Sequence, residues 1–109
     1  MAQILKTIKK RQTFVKVMNQ GKFTRGKHFN INFLEDDELD KLIFVGYTAT
    51  KKIGAAIYRN RAKRIMRELA RKVIAKYSKR NIYYVLIAKH SILKTSFKEL
   101  ETELKRLIL

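Results

Sequence analysis

Arg59-Asn60-Arg61-Ala62-Lys63-Arg64, followed by Arg67 and Arg71, is the stretch whose residue types and spacing point to chemistry. Guanidinium groups donate paired hydrogen bonds to phosphate or carboxylate oxygens, so a row of them binds oxyanions and does not exchange protons. At about 100° per residue along a helix, Lys63, Arg64, Arg67 and Arg71 gather in one arc around Asn60. Ala62, Ile65, Met66, Leu69, Val73 and Tyr77 gather on the opposite side, and only Ile74 lands out of place, near the edge of the basic arc. A solvated helix face ordinarily mixes signs. Between Lys51 and Arg80 there are twelve Lys or Arg and one acid, Glu68. Such an arc repels itself unless a polyanion lies against it.

The whole chain repeats that imbalance, with 26 basic against 9 acidic residues and a net charge of +17. A field of this sign attracts nucleic acid or an anionic membrane surface. A membrane-surface helix needs large apolar side chains to spare for lipid. There is no Trp, and the apolar faces are just sufficient for one core. Nucleic acid is the expected partner, with no membrane association. The 109 residues correspond to one domain, 1–109, able to fold without staples. Cysteine is absent, which excludes disulfides, thiolate metal sites and a Cys nucleophile and is compatible with a reducing cytosol. No apolar run has the length of a membrane span. Met1 to Gln12 has neither a signal-peptide core nor the Ser content of a transit peptide. A cytoplasmic location is expected.

Nothing else in the chain assembles into a catalytic group. His28 and His90 are isolated and read as surface or strand-end residues. Glu35, Asp36, Asp37, Glu38 and Asp40 match no cation-binding loop and read as a solvated turn. No metal site on the protein is expected.

The elements that position the basic arc follow from periodicity. A helix is predicted from about Lys10 to Asn19, with Phe14, Val17 and Met18 on one face and Gly21 as its stop. Phe29-Asn30-Ile31-Asn32-Phe33 alternates as a strand with one apolar and one polar face, and Leu42 to Thr50 is a second strand. Lys51 to Gly54 is a turn, Ala56 to Tyr77 the basic helix, and Ile82 to Ala88 a strand apolar enough to be covered on both faces. Ser96 with Glu99 forms a capping-box signature for a last helix burying Phe97, Leu100, Leu104, Leu107 and Ile108. The order α-β-β-α-β-α implies an α+β fold, a two-layer sandwich of a mixed sheet packed with helices.

Gly46-Tyr47-Thr48-Ala49-Thr50-Lys51-Lys52-Ile53-Gly54 followed by Arg59-Asn60-Arg61-Ala62-Lys63-Arg64 resembles the bacterial ribonuclease P protein family. That family's signature is Ser-x-Lys-Lys-x-Gly and then a helix opening Arg-Asn-Arg-x-Lys-Arg; Thr50 replaces the Ser and keeps the hydroxyl. Phe14-Val15-Lys16-Val17 with Gly21, Ile87-Ala88-Lys89, and Ser96-Phe97 with Glu99-Leu100 and Leu104 extend the resemblance over nearly the whole chain. It implies a left-handed β-α-β crossover, against the usual hand. It also implies a protein subunit whose large RNA partner hydrolyses precursor tRNA at the mature 5′ end with Mg²⁺ held mainly by RNA. No cofactor on the protein and no protein partner are implied.

On that reading Arg59, Asn60, Arg61, Lys63, Arg64, Arg67 and Arg71, with Lys51 and Lys52, contact the RNA subunit. Asn60 either bonds RNA or holds the preceding turn. A cleft between the first helix and the sheet receives the single-stranded 5′ leader, with Phe14, Met18, Asn30, Asn32, Lys16 and Lys89 as its expected residues. Phe14 stacks on a base there or is simply core. The family often carries aromatics where this chain has Met18 and Asn32, so Lys16, Lys22, Arg25, Lys27 and Lys89 are expected to supply phosphate contacts instead. The rival functions are a basic ribosomal or assembly protein, and a nuclease acting without RNA.

Overall fold

β5 (Ile82–Ala88) organises the fold, because it is apolar on both faces and has a partner on each side. The computed structural model describes residues 3–109. β5 runs parallel to β4 (Ile43–Thr48) and antiparallel to β3 (Phe29–Glu35). β1 (Leu5–Thr7) adds to β4 in parallel and β2 (Lys22–Thr24) to β3 in antiparallel, giving one mixed sheet in the order β1-β4-β5-β3-β2. α1 (Arg11–Gln20) follows β1. α2 (Ala56–Leu69) continues through a π-helical segment, Ala70–Ile74, into α3 (Ala75–Tyr77) and connects the parallel neighbours β4 and β5. α4 (Phe97–Ile108) closes the chain, its Ser96 hydroxyl accepting the Glu99 N–H at 3.3 Å as the capping box requires.

The α+β sandwich is as expected, with differences that have physical causes. The two edge strands are three residues each and carry Lys6 and Lys22, too short and too polar to register as strands by pattern. The strand from Phe29 runs on to Glu35, and the one predicted from Leu42 to Thr50 stops at Thr48. The out-of-phase Ile74 is accounted for by the π-helical segment. Its wider turn rotates the stripe so that Ile74 is 0% exposed, while Tyr77, expected in the core, stands 36% exposed beneath the ammonium groups of Lys105 and Lys76.

One sheet face carries Phe29, Ile31, Ile43, Val45, Ile82, Tyr84 and Leu86 against Ala62, Met66, Leu69, Val73 and Ile74 of the long helix and Leu100 and Leu104 of α4. The other face carries Val85 and Ile87, covered by α1 through Val17 and Phe14 and by Ile8. That cover is partial, because α1 has ten residues and only Val17 fully buried. Gly46 sets how closely α1 lies. A Cβ there would stand 2.5 Å from the Phe14 ring, so glycine leaves the hollow that the ring fills.

Gly46→Ala should therefore lower unfolding stability by about 1–3 kcal/mol through overpacking. In a Phe14→Leu background the loss should shrink, because the ring edge that collides is gone. Additive losses in denaturant unfolding of the two single variants and the double variant would show that the ring is not what Gly46 accommodates.

Candidate nucleic-acid interface

The basic arc begins at a built turn. Thr50 accepts the Lys52 N–H on its hydroxyl at 3.3 Å, capping the 3-10 turn Lys51–Ile53, and Gly54 reverses the chain at φ +128°, a conformation that disfavours side chains. α2 then starts without a side-chain cap and without an acid in its first turn, which leaves its leading N–H groups and partial positive charge facing outward. Lys51, Lys52, Asn60, Arg61, Arg64, Arg67 and Arg71 are exposed, and Arg59 and Lys63 are half-buried. Among the described residues Arg59, Arg61, Lys63 and Arg64 form no ion pair.

The far end of the arc is different. Arg71 is engaged by Glu68, its guanidinium donating to both carboxylate oxygens. Arg67 lies 5.5 Å over the ring of Tyr47. Burial pushes the Tyr47 phenol up to about 12 despite the nearby Arg67 charge, so the ring is neutral at physiological pH and meets Arg67 as a π face. Asn60 sits within the helix with no side-chain hydrogen bond among the described residues, and Thr50 caps the preceding turn. The alternative role of Asn60, holding that turn, is therefore corrected.

On the α1 face of the sheet is a groove of about 580 Å³. Phe14 and Met18, four apart on α1, form one wall; Val85, Ile87 and Thr48 form the floor, and Thr50, Lys9 and Arg11 the remaining rim. Asn30 and Asn32 pair with Ile87 and Val85, which puts them on this same face as expected. The remaining expectations for the groove change. Asn32 is only 3% exposed, and its side-chain oxygen has no hydrogen-bond partner among the described residues. Asn30 accepts the Gly26 N–H at 3.1 Å, and Lys89 donates to the Gly26 carbonyl at 2.5 Å, so both hold the loop before β3. Lys16 does not line the groove; it pairs with Asp36 at 3.3 Å and lies 5.8 Å over the Tyr83 ring.

The cations on the groove are instead Lys9 and Arg11, which sequence reasoning passed over because they lie in an unpatterned connection and on the opening turn of α1. Phe23 was missed as well. It lies directly across from Asn32 on β2, on the groove-bearing face and 54% exposed. The only available signal was a lone aromatic beside a glycine and two cations.

The remaining polar groups are structural. His28 is buried at the entrance to β3, its Nδ1 2.7 Å from the Ser91 hydroxyl and 3.2 Å from that of Thr95, so of the two expected positions, surface or strand end, it takes the strand end. Glu103 interrupts the apolar stripe of α4, buried, and its carboxylate accepts the backbone N–H groups of Lys27 and His28. Asp36 caps its turn by accepting the Glu38 N–H. That bond leads in holding its carboxyl below the ordinary range, and Lys16 acts in the same direction. Among the described residues no helix is long and apolar enough to cross a membrane.

The fold has counterparts among known proteins. The family model described as Ribonuclease P matches residues 4–109. The ribonuclease P protein component of Caulobacter vibrioides is 40% identical over 82 residues, a region covering 75% of this chain and about half, 54%, of that relative. The corresponding protein of Gluconacetobacter diazotrophicus is 32% identical over 97% of this chain and 90% of its own length. The ribonuclease P protein of Thermotoga maritima has the same fold, with a TM-score of 0.81 over 94% of each chain at 20% identity. This chain belongs to the bacterial ribonuclease P protein family.

Proposed function

We propose that this chain is the protein subunit of a ribonuclease P that acts in the cytoplasm, where it assists removal of the 5′ leader from precursor tRNA. The α2 arc binds the catalytic RNA subunit. The groove under α1 binds the single-stranded leader. The RNA subunit performs the hydrolysis and holds the Mg²⁺. The observation that carries the reading is the cluster of unpaired cations at Arg59, Arg61, Lys63 and Arg64, on a helix whose other face is fully committed to the core. Guanidinium and ammonium groups with no internal acid to satisfy them are matched by phosphates, and Arg suits folded RNA through its bidentate geometry. The groove adds a half-buried aromatic wall at Phe14 and cations at Lys9 and Arg11, which suit unpaired bases and their backbone.

Reconstitution tests the reading. The protein combined with ribonuclease P RNA should cleave precursor tRNA at the mature 5′ end at lower Mg²⁺ than the RNA alone, and RNA-free protein should not cleave. Efficient cleavage by RNA-free protein would make the chain a nuclease in its own right. Recovery of ribosomal RNA, without ribonuclease P RNA, in a pull-down would make it a ribosomal or assembly protein.

Charge reversal locates the RNA contact. Arg61→Glu with Arg64→Glu changes net charge as much as Lys98→Glu with Arg106→Glu on α4. The first pair should weaken binding to the RNA subunit by at least about tenfold more than the second. Its log–log salt dependence should also be shallower, by about 0.7–0.9 for each phosphate that the variant no longer neutralises. Equal weakening by both pairs in filter-binding titrations would mean that diffuse charge holds the RNA.

Lys9→Ala with Arg11→Ala probes the groove without touching buried Asn32 or the Gly26 loop. Holoenzyme carrying the pair should bind leader-bearing precursor tRNA about five- to tenfold more weakly, as expected for two screened phosphate contacts. Its affinity for mature tRNA should hold. Parallel weakening for both ligands would refute the leader assignment.

A further inference from the structure

Two of the largest exposed apolar side chains sit where the chain is most cationic. Ile57 is 72% exposed and Tyr58 50% exposed, in the first turn of α2 and immediately before Arg59. Neither packs on the sheet, and together they interrupt a surface that should otherwise be uniformly hydrated. Tyr58 stands over a cavity of about 430 Å³ whose lining includes Ile53, Leu93, Arg61, His90 and Lys94. The buried Ile53 and half-buried Leu93 give it an apolar floor, while Arg61, Lys94 and His90 stand exposed at its edge. No Asp or Glu lines it.

The Tyr58 ring lies beside the turn at Gly54. A Cβ on Gly54 would stand in ordinary contact, 3.4 Å from Tyr58 Cδ2, and glycine leaves that space open. An aromatic side chain has few rotatable bonds, so it loses little rotamer freedom when a second planar group stacks on it. The cavity combines an exposed aromatic face, an apolar floor and cations with no acid among the described lining residues. An aliphatic ligand would satisfy the floor and leave the cations unmatched, and a bare phosphate would do the reverse. A nucleobase still attached to its phosphates satisfies both.

We propose that Tyr58 and this cavity hold one unpaired nucleobase of the ribonuclease P RNA. The ring stacks on the base, and Arg61 and Lys94 take the flanking phosphates. The proposal rests on the reading of α2 as the RNA-subunit contact, because Arg61 belongs to both the arc and the cavity. It adds a stacking component to what is otherwise an electrostatic interface.

Stacking and phosphate contacts respond differently to salt, which separates the two ideas. Binding of folded ribonuclease P RNA is titrated over a range of salt with wild-type protein, Tyr58→Ala, Tyr58→Phe and Arg61→Glu. Tyr58→Ala should bind about five- to a hundredfold more weakly, the effect of removing one stacked base. Its salt slope should equal that of the wild type, because every phosphate remains neutralised as before. Tyr58→Phe should restore affinity to within about twofold, since both rings offer a π face. Arg61→Glu should lower the slope. Base-specific chemical probing of the RNA should find one nucleotide protected by wild type and by Tyr58→Phe but reactive with Tyr58→Ala. Wild-type affinity in Tyr58→Ala, a changed slope, or failure of Tyr58→Phe to rescue would each overturn the stacking site while leaving the arc intact. Failure of the wild-type protein to bind this RNA would overturn the functional reading and the stacking site with it. Unfolding midpoints of the Tyr58 variants should match the wild type, because the side chain is half exposed.

Discussion

The contact between the long helix and the sheet holds the cationic surface in place. Ala62, Met66, Leu69, Val73 and Ile74 are almost wholly withdrawn from solvent, against Ile43, Val45, Ile82, Tyr84 and Leu86. Each such fully buried large side chain contributes on the order of 1.5–3 kcal/mol. That attraction must exceed the mutual repulsion of the cations on the opposite side of the same helix, which have one acid, Glu68, among them. On a straight α-helix Ile74 would stand near the edge of the cationic arc instead of on the core. The π-helical segment at Ala70–Ile74 resets the phase where the helix also meets α4. The stripe stays on the core, and the arc stays on solvent.

The electrostatics divide the surface in a way the core permits. Acids are placed where they serve the fold. Asp36 caps a turn, Glu103 binds the backbone entering β3, Glu68 engages Arg71, and Glu35 pairs with Lys79. The opening of α2 receives none of them. The repulsion there is left uncompensated, and a protein that gained nothing from it would lose stability by keeping it. The same asymmetry distinguishes the two ends of the arc. Arg59, Arg61, Lys63 and Arg64 are unpaired, whereas Arg67 and Arg71 already have a ring and a carboxylate as partners.

Most of the fold was legible because its main elements carry strong periods. β5 is continuously apolar, β3 alternates through Asn30 and Asn32, and the Ser96–Glu99 cap marks the start of α4. The cationic arc was legible for the same reason. What escaped was either short or aperiodic. β1 and β2 are too brief for an alternation to register. The π-helical segment changes the period itself, so Ile74 looked like an error in the pattern and Tyr77 like core. Glu103 reads as a surface acid on any wheel, and only the backbone N–H groups brought to it from 75 residues away give it a reason to be buried. In the groove, Phe14 and Met18 followed from helical spacing. Lys9, Arg11 and Thr48 are brought to them by tertiary packing, and Lys16 and Lys89 are drawn off by Asp36 and the Gly26 carbonyl. Lys16 stands about 200° around α1 from Phe14, so helical spacing itself turns it from the wall that Phe14 and Met18 form.

The two surfaces lie on opposite faces of the sheet, yet one short segment belongs to both. β4 leaves the sheet at Thr48, and both Thr48 and Thr50 line the groove. The Thr50 hydroxyl also accepts the Lys52 N–H and so fixes the turn carrying Lys51 and Lys52 into α2. Gly54 ends that turn, and Tyr58 follows in the first turn of α2. The Thr50 hydroxyl thus belongs both to the rim of the groove and to the cap of the turn that leads into α2. Serine preserves it in the family signature that Thr50 departs from, because the hydroxyl, not the methyl, makes the bond.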